Sequence, residues 1–246
     1  MKNYLSIILA CSSLLFGMTA CDEGRIYEEE SIVNQEGRTV NLVAHLTGVG
    51  SWPDTSYFIE IAGFEEGNDY AAISKIVPAP ATEGGEVNVQ LMGIKENVTH
   101  VEFCVLNRLR KHILSFYSID EATLKSSSTI NVDAGTLDVG MFSTIQDQVF
   151  STTCANCHGA SNRAAAGLFL TEGKSYQALV DVDSKRVEGK KLVETNNALT
   201  SVLHMVLNQQ TVEGISMAHR DLVSEKNEET LLPLIDSWIN NGAKDK

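Results

Sequence analysis

Polar and apolar residues alternate with two different rhythms along this chain. From Thr39 to Val139 the period is two: Val40, Leu42 and Ala44; Tyr57, Ile59 and Ile61; Val87, Val89 and Leu91; Val101, Phe103 and Val105. That period puts every second side chain on one face of a strand, so each run predicts a strand with one buried face. Shorter apolar runs at 71–77, 112–119 and 130–132 predict further strands. Turn-forming clusters separate them, at Gly48 to Asp54, Glu65 to Asp69, Pro78 to Gly85 and Gly93 to Asn97. Short strands spaced this way predict an antiparallel, immunoglobulin-like sandwich.

After Gly140 the period lengthens. Phe142 to Cys154 reads as a helix with Ile145, Val149 and Phe150 on one face. Leu199, Val202, Leu203, Val206 and Leu207 have the spacing of an amphipathic helix. A last helix, Thr230 to Asn241, groups Leu231, Leu234, Ile235 and Trp238, with Gly242 as its C-cap. Pro233 fits if Thr230 is the N-cap, because N–H groups of the first turn have no partner to lose.

These rhythms predict a multidomain chain. Residues 1–20 read as an export signal: Lys2, the apolar run Tyr4 to Phe16, then Met18-Thr19-Ala20. The run is too short to span a bilayer. Residues 21–38 predict an acidic tether, 39–140 the all-β sandwich and 141–246 an all-α domain. The formal net charge of -13, with most of the acidic excess before Gly140, excludes nucleic acid as a partner. The strand-rich half has no paired carboxylates, nucleophile elbow or phosphate-binding glycine loop. Trp52-Pro53-Asp54 reads as an aromatic packed over a turn, and the sandwich as a spacer or a module for a glycan or protein ligand.

Candidate chemistry concentrates at Cys154-Ala155-Asn156-Cys157-His158. Two thiols three positions apart, followed at once by histidine, form the attachment pattern of c-type haem. Each thiol can bond one vinyl group on the same porphyrin edge, and His158 can then supply the proximal nitrogen to iron. Cys11 departs with the signal and Cys104 reads as a packed thiol in an apolar strand. A redox dithiol at Cys154 and Cys157 is the competing reading. Export favours haem, which is attached outside the cytoplasm.

Two resemblances extend this reading. Met18-Thr19-Ala20-Cys21 resembles the bacterial lipobox, with Met18 where leucine is usual, which implies acylation (palmitate) of Cys21. The acids that follow resemble the surface-export signals of Bacteroidetes lipoproteins. The implied location is the cell envelope, lipid-anchored at the periplasmic or outer-membrane surface. The second resemblance covers about Phe142 to Ala243. It is carried by Val149-Phe150, Cys154 to Gly159, Gly167-Leu168-Phe169-Leu170, Ser201-Val202-Leu203, Ser216-Met217-Ala218 and Leu234 to Ala243. These, in this order, resemble the monohaem c-type cytochrome domains of bacterial surface and periplasmic proteins.

That likeness implies a cytochrome c-like all-α fold whose first and last helices cross, pairing Val149 and Phe150 with Ile235 and Trp238. It implies one covalent haem c on Cys154 and Cys157, with iron held by His158 and Met217. Ala218 stands where the family has proline, and His219 or an open sixth position remains in play. The expected function is electron transfer to a redox partner protein, without enzymatic turnover. The alternatives are a surface binding lipoprotein whose haem senses redox state or a gas, and a dithiol oxidoreductase.

Overall fold

Strands form at the period-two runs and at the shorter apolar runs: β1 (Arg38–Thr47), β2 (Tyr57–Glu65), β3 (Ile73–Ile76), β4 (Glu86–Ile94), β5 (Val98–Asn107), β6 (His112–Ile119) and β7 (Thr129–Asp138). The computed structural model describes residues 36–53, 55–159, 164–222 and 225–245, with backbone alone for 225–228. The expected signal, Cys21 and almost all of the expected tether lie outside the described residues. The strands make two sheets, ordered β4-β1-β7 and β3-β2-β5-β6. Their inner faces share one core, which includes Leu42 and Val89 from one sheet and Ile61 and Phe103 from the other.

Not every pairing is antiparallel: β1 runs antiparallel to β4 but parallel to β7. A parallel partner needs a crossover, and β7 reaches β1 only after the chain has built the whole second sheet. A short helix, α1 (Glu121–Lys125), lies on that path, capped by Asp120 accepting from the Thr123 N–H. The alternation of apolar residues gave no sign of it, because a single turn has too few positions to show a period.

Helical structure begins three residues after the end of β7. α2 (Met141–Ile145) runs without a break through a π-helical stretch, Gln146–Cys154, into α3 (Ala155–His158). Then come α4 (Ser175–Leu179), α5 (Val202–Asn208) and α6 (Glu225–Asn240). Two expectations need correcting here. Leu199 is not on the α5 stripe: it sits in a 3-10 turn, Ala198–Thr200, and is 76 % exposed. α6 begins at Glu225, so Pro233 lies well inside it and leaves the Glu229 carbonyl without its helical donor. The end of α6 is as expected. Gly242, at φ 97, donates to the Ile239 carbonyl and Ala243 to that of Trp238, which is a Schellman cap.

The expected multidomain architecture, an all-β sandwich joined to an all-α cytochrome c-like domain, is overturned. Residues 35–246 form one compact unit of mixed composition, about 34% strand in two sheets and 30% helix. The segment after Gly140 is not all-α either: bridges join Val180 to Val193 and Asp183 to Lys191. The change of period at Gly140 resembles a boundary, but a boundary requires an exposed linker crossed by few contacts. Here Val139 and Met141 are 0 % and 1 % exposed. Trp52 donates from Nε1 to the Val139 carbonyl at 2.6 Å, and the Met141 N–H donates to Ser51 Oγ at 2.7 Å. Further along, Lys111 meets Glu229 of α6 at 2.9 Å. Burial, reinforced by the Asp236 carboxylate of α6, pushes the Tyr57 phenol of β2 up to about 12. The hydrophobic core accordingly runs on from the sheets into the helices. Among the described residues no helix is long and apolar enough to cross a membrane.

Candidate functional site

The α2–π–α3 helix carries both candidate thiols and is fixed at two levels. At its start Phe142 packs its ring on Trp238 of α6 at 5.1 Å and on Phe150 at 6.3 Å. The first and last helices therefore do pack, with Phe142 interposed between Phe150 and Trp238. At the entry to the π stretch, buried Gln146 donates to Ser151 Oγ at 3.0 Å and to the Leu170 carbonyl at 3.2 Å, and accepts from Ser175 Oγ. This network ties the helix to the loop after the haem-type motif and to α4. A buried amide with its hydrogen bonds made is a rigid joint, because leaving one unmade costs the full desolvation of the group.

Beyond that joint lies a cavity of about 700 Å³, within the ~300–1,000 Å³ range of cofactor pockets. Cys154, Cys157 and His158 line one side, and Met217, His219 and Leu222 also face it. The walls between are mainly apolar, with Leu168, Leu179, Val202, Leu203, Leu207 and Leu231 among them. Lys185 and Arg186 are the cationic residues on the lining. Nearby, Lys191 pairs with Asp181 at 3.0 Å and Lys174 lies over the Phe169 ring.

Two imidazoles face this space. His158 Nδ1 donates to the Ala165 carbonyl at 3.1 Å, and His219 Nδ1 donates to the Met217 carbonyl at 3.0 Å. A carbonyl can only accept, so in each neutral ring Nδ1 holds the proton and Nε2 the free lone pair. The ring centres are 6.2 Å apart with planes 22° from parallel. Burial lowers the pKa of His158, the Ala165 carbonyl opposes that, and the neighbouring His219 lowers it further. Met217 is 47 % exposed. His204, by contrast, is turned to Asp236 at 2.8 Å.

The thiols are neither bonded to each other nor alike. Cys157 is exposed, while burial, with Cys157 adding, pushes the Cys154 thiol up to about 11. Cys154 also closes the π stretch, with a helix on both sides of it, and so lies at no helix N-terminus. Both facts are the reverse of what activates a dithiol nucleophile, which needs a lowered pKa. Cys104 is fully buried, as a packed thiol should be, and burial raises its pKa. Trp52 is buried too, as an aromatic packed over a turn should be.

Cys154, Cys157, His158 and Met217, expected from the sequence to hold one haem, all lie on the lining of this cavity. The carbonyl of Ala165, the Gln146 joint and Leu232, also on the lining, were not legible in the sequence, because none stands in a recognisable motif. No family model, curated protein or solved structure matches the chain.

Proposed function

We propose that this protein holds one haem c covalently and works as an electron-transfer cytochrome of the cell envelope, anchored through lipid on Cys21. The observation that carries the reading is a single apolar cavity onto which both thiols of the C-x-x-C-H pattern, its histidine and two further iron-type donors open. The residues present fit the group. Cys154 and Cys157 would hold the porphyrin edge, His158 would supply the proximal nitrogen, and Lys185 and Arg186 on the same lining would pair with its carboxylates. When bound, haem supplies a one-electron ferric–ferrous couple.

The chain's own part is positional. The Ala165 carbonyl fixes the tautomer and turn of His158 and raises its basicity as a ligand. The leucine and valine walls make the surroundings apolar, which lowers the local dielectric and so tunes the potential. The Phe142–Trp238 contact and the Gln146 joint hold the thiols still relative to those walls. Rigid ligation of this kind keeps reorganisation small when charge moves. The raised Cys154 thiol speaks against a dithiol oxidoreductase.

A mediated redox titration of the purified exported protein tests this. One electron per chain, independent of added thiol, is the expected result. A two-electron couple assigned to Cys154 and Cys157 would instead establish dithiol chemistry.

A further inference from the structure

We infer that His219, and not Met217, is the second axial donor, so that the iron is held between two imidazoles; this rests on the haem proposed above. The first ground is the pairing itself. His158 and His219 face one cavity with ring centres 6.2 Å apart and planes 22° from parallel. Metal–imidazole bonds run about 2 Å, and one ion bonded to both rings through Nε2 separates their centres by about 6 Å. The two rings stand at that spacing.

The second ground is the proton. A ligating histidine characteristically donates its other ring N–H to a carbonyl or carboxylate. His158 does so to Ala165 and His219 does so to Met217. In each neutral ring the proton is thereby on Nδ1 and the lone pair on Nε2. Met217 enters this arrangement through its main-chain carbonyl, and its side chain is 47 % exposed.

The third ground is that the segment bearing His219 is built to stay in place. It follows a tight turn in which Ile215 N–H donates to the Val212 carbonyl at 3.0 Å. Gly214 there has φ +84, and a Cβ on it would lie 2.0 Å from the Arg186 carbonyl oxygen. Only glycine allows both that backbone and that approach. On the other side, Arg220 Nη1 donates to the Asn208 carbonyl at the end of α5, at 2.8 Å. His219 lies between these two anchors, in the 3-10 turn His219–Leu222.

The test uses the full exported chain matured with haem-attachment machinery, with Met217→Leu and His219→Met variants beside it. The expected ferric wild type is low-spin, with the near-infrared magnetic circular dichroism band of bis-imidazole ligation. Its paramagnetic resonance should be rhombic, as nearly parallel planes require. Met217→Leu should leave these spectra unchanged, because its carbonyl remains, and His219→Met should replace them with the thioether charge-transfer band and raise the potential. A thioether band in the wild type, lost in Met217→Leu, overturns the inference while leaving the cytochrome standing. A high-spin, five-coordinate wild type also overturns it. A colourless protein refutes the haem reading itself and the inference with it.

Discussion

Gln146 is the residue on which the local order of the site depends most. It is 3 % exposed, and its amide serves Ser151, Ser175 and the Leu170 carbonyl together. Gln146→Ala leaves Ser175 and the Leu170 carbonyl buried without it, so a loss of about 1–3 kcal/mol is expected in denaturant unfolding. Glu102 gives a prediction in pH. Burial alone would raise its carboxyl, but hydrogen bonds from His112 and Ser115 outweigh burial and leave it below the usual glutamate value. The folded state then holds this proton less firmly than the unfolded chain does. The stabilisation is full above the ordinary glutamate range and disappears as pH falls through the lowered folded-state value. Glu102→Gln should flatten the acid limb of the stability curve; an unchanged limb would show that the pairing contributes nothing. At the thiols, a pKa of about 11 leaves Cys154 mostly protonated at neutral pH. In the haem-free protein iodoacetamide should therefore alkylate exposed Cys157 well before Cys154, as peptide mass mapping would report. Cys154, Cys157 and His158 could be singled out in the sequence because they stand together in a short pattern of known type. Glu102 with His112, and Gln146 with Ser175, could not, because each pair meets only through the fold.

Among the elements, α6 is the one the others lean on. Trp238 is almost fully buried, lies against Phe142 and donates from Nε1 to the Lys244 carbonyl at 2.8 Å. Trp238→Ala should cost about 3–5 kcal/mol and loosen the cavity, while Trp238→Phe should recover most of the loss. Thermal unfolding of the two variants separates the ring's packing from its hydrogen bond. Strands were easy to read because each buries one face, so burial and period coincide: Val87, Val89 and Leu91 are buried while their neighbours are exposed. Helices were harder. The π-helical stretch shifts the register of everything after Gln146, and α5 is only seven residues long. Leu199 shares the α5 period by sequence yet lies outside it, because Ser201 spends its hydroxyl on the Asn197 carbonyl and its backbone is extended there. Pro233 misled in the other direction, since packing of Leu234, Ile235 and Trp238 against the core outweighs one missing helical bond.

For the whole molecule, the central physical fact is that sheets and helices share one core. A switch from period two to a longer period marked where secondary structure changes and could not mark where cooperativity ends. What decides that is the burial of Val139 and Met141 and the hydrogen bonds that Trp52 donates and Ser51 accepts across the junction, all long-range. Unfolding should accordingly be a single transition, with tryptophan fluorescence and far-ultraviolet circular dichroism superimposing. Two separated transitions would restore independent halves. The function proposed for this unit rests on one covalent bond pattern, and one measurement addresses it most directly. The exported chain, produced alongside haem-attachment machinery, is denatured, extracted with acidic organic solvent and assayed for pigment retained on the polypeptide. The account predicts one haem per chain, lost in a Cys154→Ala, Cys157→Ala double variant. A wild-type chain that emerges colourless from cells able to make other c-type cytochromes would contradict it.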